Sequence, residues 1–217
     1  MSPTRYRASG PQAEFQPGSR GRVLCNLKGI VRVREMQRAE SEALLATHEW
    51  AIAHFTASQR LTAHDVVRLH RHWLGGLYPW AGEFRQVNVS KGGFMFAAAT
   101  RVPQLMRNFG IRDLARMTPC SGMDRERLAK ALARTHAELV LIHPFREGNG
   151  RCARLLAWLM ALQAGMPPLD FSPLSGRGRP AYFAAIRSAL SDDYAPLEAC
   201  FNRVLARTLR VTGSAGA

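Results

Sequence analysis

Paired cysteines are missing. Cys25, Cys120, Cys152 and Cys200 lie far apart and form no C-x-x-C pair. That excludes a disulfide framework and a zinc site of ordinary spacing, and reads as free thiols in a reducing compartment. Long apolar runs are missing too. The first 20 residues carry Arg5, Arg7 and Arg20 without an apolar stretch, so no signal peptide is expected. No charge-free segment reaches the length of a membrane helix. A cytoplasmic protein with no membrane contact is expected, although export by another kind of address would leave no trace in this pattern. Lysine is scarce: only Lys28, Lys91 and Lys130 among 30 basic residues, the rest being arginine. Against 16 acidic residues this leaves a net charge of +14, which favours acidic partners such as nucleotides, nucleic acid or an acidic protein. No helix-turn-helix, zinc or stacked-aromatic signature accompanies the charge. Direct nucleic-acid binding is therefore not expected, and a basic nucleic-acid-binding protein stands only as the rival from a different class.

What is present fits one globular domain. The chain has 217 residues, 47% of them apolar, with no internal repeat. Residues 1–20 are rich in Ser, Gly, Pro and Arg and are expected to form a disordered lead-in, 21–211 the domain, and 212–217 a tail. Periodicity predicts a helix over about 34–55, with Met36, Leu44, Leu45, Ala51, Ile52 and Phe55 as its inner stripe. Thr62 and Asp65 mark the start of a second helix, which Gly75-Gly76 ends. The β-prone runs around Ser90-Lys91-Gly92-Gly93 predict a hairpin. Thr100 is placed to cap the next helix, with Pro103 in its first turn. Further helices are expected over about 124–142, over 155–164, and from Ala181 onward with a break at Pro196, after a loop at 172–180. The fold class expected is all-α: a bundle with one protruding β-hairpin.

The chain is organised around His143-Pro144-Phe145-Arg146-Glu147-Gly148-Asn149-Gly150-Arg151, with Arg154 just beyond. Leu128, Leu132, Leu139 and Ile142 give the helix entering this stretch one apolar face, and Pro144 argues against its continuing. Gly148 and Gly150 permit a tight turn, and a new apolar helix follows through Leu155, Leu156, Trp158 and Leu159. A glycine turn that opens a helix is an anion site, because unpaired N–H groups and the positive dipole end meet there. A His, a carboxylate, an amide and two arginines are added to that spot. The combination points to phosphate chemistry.

This stretch resembles the signature of the Fic family (filamentation induced by cAMP), H-x-F-x-[DE]-G-N-G-R-x-x-R, with every fixed position filled by His143, Phe145, Glu147, Gly148, Asn149, Gly150, Arg151 and Arg154. Tyr78-Pro79-Trp80-Ala81-Gly82-Glu83-Phe84-Arg85 is similar to the family's segment before its hairpin flap, and Val89 to Phe96 to the flap, which lies over the active-site helix–loop–helix. The resemblance implies transfer of AMP from ATP, with Mg²⁺, to a Tyr, Thr or Ser hydroxyl of a target protein, with release of pyrophosphate. It implies His143 as general base, since imidazole titrates in the useful range. Glu147 would hold Mg²⁺, and Gly148, Asn149 and Gly150 would cradle phosphates. Arg151 and Arg154 would grip the outer phosphates. Phe145 is assigned to the core beneath the loop. Lys91 and Gly92 would touch nucleotide, while Val89, Ser90, Lys91, Gly92, Gly93 and Phe94 would dock the target backbone as an added strand. Tyr182 and Phe183 would approach the adenine, and Leu190 stands where some members place a polar residue for the base. The inhibitory motif [ST]-x-x-x-E-[GN] is not found. The chain therefore resembles toxins whose inhibitory Glu, supplied by a small antitoxin, engages the second arginine, here Arg154. A transferase using another nucleotide or a phosphoryl group is the nearest enzymatic alternative.

Overall fold

The computed structural model describes Gln12 and residues 14–214. Helices α1 (Val33–His54) and α2 (Ala63–Leu74) lead to the strands β1 (Ser90–Lys91) and β2 (Phe94–Met95). Then come α3 (Val102–Phe109), α4 (Ala115–Met117), α5 (Arg125–Ile142), α6 (Asn149–Gln163), α7 (Arg179–Ser188) and α8 (Ala195–Ser214). The expected all-α architecture with a single hairpin is what the described residues form. None of these helices is long and apolar enough to cross a membrane.

The chain divides into two compact units. One comprises the residues up to His54 with Ala63–Arg107 and Ile142–Cys152; the other comprises Phe55–Thr62, Asn108–Leu141 and the residues from Ala153 onward. In the first unit Val23, Met36, Trp73, Leu74, Leu77, Tyr78, Trp80 and Ala81 make the core. The hairpin is short: Ser90 pairs with Met95 and Lys91 with Phe94, antiparallel. Gly92 and Gly93 both have positive φ, 56° and 79°, which a two-residue turn matched to strand twist requires. Val87 and Val89 are buried at its base and Phe96 packs on them. In the second unit α7 packs on α8, and Leu128, Leu132, Leu139, Leu156, Phe201, Val204 and Leu205 are buried.

Several expectations need correction. On α1, Leu45 and Ile52 are exposed at 64% each, while Glu40 and Thr47 join Met36 and Ala51 on the buried face. Hydrophobicity alone misplaces the stripe, because a charged residue with a buried partner holds one of its positions. The start of α3 takes its side-chain bond from the hairpin: Ala99 N–H donates to Asn88 Oδ1 (2.9 Å), and Thr100 lies inside a short 3₁₀ turn. The segment 172–180 is two 3₁₀ turns running into α7 at Arg179. The break before α8 falls at Asp192, whose φ is 57°, while Pro196 sits in the first turn of α8, where proline is tolerated. Helix α8 continues to Ser214, through part of the expected tail.

The expected disordered lead-in is built into the first unit where it is described. Cys25 N–H donates to Glu14 O (3.0 Å) and Gln16 N–H to Val23 O (2.8 Å). Ser19 is buried. The rest of that call lies outside the described residues.

Candidate active site

The loop is shaped by the residues that close it. His143 follows the last residue of α5 with a φ of 53°, a left-handed conformation that costs a non-glycine residue about 1–3 kcal/mol and persists only where the surroundings enforce it. They do so from two sides. The His143 carbonyl accepts from Arg85 Nε (2.7 Å), and the Pro144 carbonyl accepts from the Arg85 N–H (2.8 Å). The imidazole of His143 stacks on Phe96 of the hairpin at 3.6 Å between ring centroids and 19° between planes.

Beneath the loop Phe145 is fully buried, as expected, stacked on His70 at 3.7 Å and 9°. His70 Nδ1 accepts from Gly82 N–H (2.9 Å), which leaves Nε2–H to donate to the Glu147 carbonyl (3.1 Å). Burial lowers the His70 pKa to about 3, assisted by the charge of Arg151. The ring is therefore neutral, and it fixes the backbone beside the acidic residue.

Asn149, expected to cradle phosphate, closes the loop with its side chain. Its Oδ1 accepts from Phe145 N–H and its Nδ2 donates to Phe145 O, both at 2.8 Å, in a fully buried position. The amide staples the loop into a ring that ends at the first residue of α6. Gly148, at φ 82°, is the turn glycine, whereas Gly150 lies within the first turn of α6. The first-turn N–H groups of a helix have no intrahelical carbonyl to bond, so they remain available to an anion.

Glu147 is mostly buried and accepts from Gly148 N–H (2.9 Å), with Arg151 Nη2 3.7 Å away. Among the described residues no cluster of three or more His, Cys, Asp or Glu is placed to hold a metal by itself. One carboxylate beside open helix amides fits Mg²⁺ only in company with phosphate oxygens, which is how that ion commonly binds.

Arg151 has a partner that sequence reasoning missed. Its Nη1 meets Glu40 Oε2 at 2.6 Å, and its guanidinium lies 4.7 Å from the centre of the Trp73 ring. Glu40 is held in turn by the Tyr78 hydroxyl (2.8 Å), and its carbonyl accepts from Trp73 Nε1 (2.9 Å). The available signal was a carboxylate four residues after Met36, on the stripe that α1 buries. Glu40→Gln should lower stability by about 1–2 kcal/mol, below the full cost of breaking a buried pair because Arg151 is partly exposed. Urea unfolding measures this, and an unchanged midpoint would show that the pair contributes nothing.

Farther along α6, in the second unit, Arg154 lies 5.9 Å from the Phe171 ring centre, and its Nε is buried without a hydrogen-bond partner. Tyr182, expected near adenine, is a core residue of that unit: it is 4% exposed and its hydroxyl bonds His136 Nε2 (2.8 Å). Phe183 is half-buried, with Arg179 5.4 Å from its ring centre. In the hairpin Val89 is buried, so its side chain supports the flap from below. Ser90, Lys91 and Phe94 are half-buried, and Gly92 and Gly93 are exposed.

A helical protein whose loop closes on itself at a helix start, with an imidazole at one end and a carboxylate at the other, has the make-up of a nucleotide-transferase site. The chain belongs to the Fic/DOC family, whose model matches residues 60–161. It is 31% identical over 137 residues to the probable protein adenylyltransferase y4lH of Sinorhizobium fredii, covering 63% of this chain and 69% of that protein. It is also 31% identical over 147 residues to the protein adenylyltransferase VbhT of Bartonella schoenbuchensis, covering 66% of this chain but only 30% of that protein's length. In fold it is similar to the BepC protein of Bartonella tribocorum, crystallised with bound AMPPNP: the TM-score is 0.66 at 19% identity, covering 83% of this chain and 91% of that one.

Proposed function

We propose that the protein is an adenylyltransferase that moves AMP from ATP to a hydroxyl of a target protein. The observation that carries this reading is the juxtaposition of the His143 ring, the mostly buried carboxylate of Glu147 and the open start of α6 within one loop stapled by Asn149. The names of the relatives, protein adenylyltransferases, support it. The hydroxyl oxygen forms a bond to the α-phosphorus while the bond from that phosphorus to the bridging oxygen breaks and pyrophosphate leaves. His143 takes the hydroxyl proton. The amides at the start of α6 neutralise phosphate charge, together with Arg151, which Glu40 holds, and Arg154. Magnesium, which Glu147 would hold, supplies further neutralisation of phosphate charge when bound. The hairpin would receive the target backbone as an additional strand along its edge.

The test is incubation with ATP, Mg²⁺ and cell lysate, with His143→Ala alongside. Label from the α-phosphate should appear on a protein band and be absent with the variant. Label arriving only from the γ-phosphate would favour the phosphoryl-transfer alternative instead.

At a finer level the same reading makes the chain the toxin of a toxin–antitoxin pair, with a small partner protein supplying a glutamate to Arg154. The partnerless Arg154 Nε supports this. Arg154→Ala is expected to weaken inhibition by a co-purified partner at least tenfold, and equal inhibition of variant and wild type would exclude the contact.

A further inference from the structure

Arg85 is the one fully buried arginine among the described residues, at 1% exposure. No salt bridge to it is present among them: every acceptor of its guanidinium is a main-chain carbonyl. Nε donates to His143 O (2.7 Å) and Nη1 to Val87 O (2.8 Å), while Nη2 donates to Ala97 O and, at 3.4 Å, to Ile142 O. Val87 and Ala97 are the two legs of the hairpin. Ile142 and His143 are the last residue of α5 and the left-handed residue after it. Its own N–H adds a bond to Pro144 O (2.8 Å). An uncompensated buried cation is costly, and burial lowers the Arg85 pKa to about 10, so a site that keeps one needs all of its donors used. The carbonyls at a helix C-terminus carry partial negative charge, which offsets part of that cost.

We propose that Arg85 is a positioning residue that locks the hairpin and the His143 backbone into one unit, so that the target strand and the general base are set by the same guanidinium. A planar fork reaches carbonyls on both sides at once, whereas the single ammonium of lysine cannot span them. The Phe96–His143 stack depends on the same lock, since Phe96 follows β2 and directly precedes Ala97. This role in catalysis rests on the adenylyl-transfer reading, but the lock itself does not.

The experiment compares wild type, Arg85→Lys and Arg85→Met by amide hydrogen exchange and by label transfer from ATP into lysate proteins. Peptides covering 86–97 and 142–148 should lose protection together, about tenfold, while α8 is unchanged. At saturating ATP the labelling rate should fall roughly 10–100-fold per binding site, with affinity for a non-hydrolysable ATP analogue within about twofold of wild type. Arg85→Lys keeps the charge and folds more readily, and it should show the same pattern. Exchange rising in only one segment, or everywhere alike, would overturn the lock. So would an unchanged labelling rate per site. If wild type itself transfers no label, adenylyl transfer fails as the function, and the exchange measurement alone decides the lock.

Discussion

Between pH 7 and pH 5 the protein should lose about 4 kcal/mol of stability through two histidines. Both His70 and His136 are fully buried and have their pKa lowered from 6.5 to about 3, first by desolvation and then by the nearby charges of Arg151 and Arg154 respectively. Above pH 6.5 each ring is neutral whether the chain is folded or not, and proton binding contributes nothing. Below it the unfolded chain binds protons that the folded rings refuse, so stability falls at about 1.4 kcal/mol per pH unit for each ring until about pH 3. The loss is a large share of a typical domain's 5–15 kcal/mol. Glu138 works the other way: burial raises its carboxyl, so protonating it as pH falls relieves a cost of burial and offsets part of the loss. Urea unfolding at half-unit pH steps would measure the effect. A slope approaching two protons is expected, reduced to one by His136→Gln; a flat profile from pH 7 to 5 would mean that the rings are not buried neutral. Since His70 holds the backbone of Glu147, acid should loosen the active-site loop as well as the core.

The second large effect separates two glycines of one motif. In Gly148→Ala the new Cβ would sit 2.7 Å from Trp73 Cζ3 and 3.0 Å from Cη2, at a φ of 82°. Left-handed backbone alone costs alanine about 1–2 kcal/mol. Trp73 cannot yield easily, being 1% exposed and bonded to the Glu40 carbonyl, and Arg151 lies over its ring. A total loss of about 3 kcal/mol or more is expected, together with loss of ATP-analogue binding, because displacing Trp73 displaces Arg151. Gly150→Ala should do the opposite to stability. Its added Cβ meets nothing within 4 Å and its backbone is helical, so alanine's better helix propensity should raise stability by up to about 1 kcal/mol. Thermal unfolding of both variants decides the matter, and equal shifts would refute the assignment of Gly148 alone as the turn residue.

The order of helices and the hairpin was legible because each rests on local physics. Asp124 shows this, accepting from Arg127 N–H (2.8 Å) at the head of α5, as does the pair of positive-φ glycines in the hairpin. The turn at Gly148 that opens α6 was legible for the same reason, since glycine accepts the positive φ needed there. What was not legible was which partner in space each side chain takes. Asn149 carries the right amide for a phosphate, yet spends both of its groups on Phe145. Tyr182 carries the right aromatic for a base, yet is sunk beside His136. Leu45 and Ile52 fit a helical stripe, yet face outward because Glu40 and Thr47 take the inner positions.

The sequence by itself determined the helical class, the hairpin turn and the presence of a glycine-led helix start next to a histidine and a carboxylate. Those follow from φ preferences, periodicity and unpaired N–H groups within a few residues of one another. Only the tertiary structure decided who holds the site. Arg85 gathers carbonyls 12 and 58 residues away, Glu40 reaches Arg151 across 111, and His70 reaches Glu147 across 77. Hydrogen bonds and ion pairs are chosen by distance in space, and no pattern along the chain encodes which buried donor will find which carbonyl.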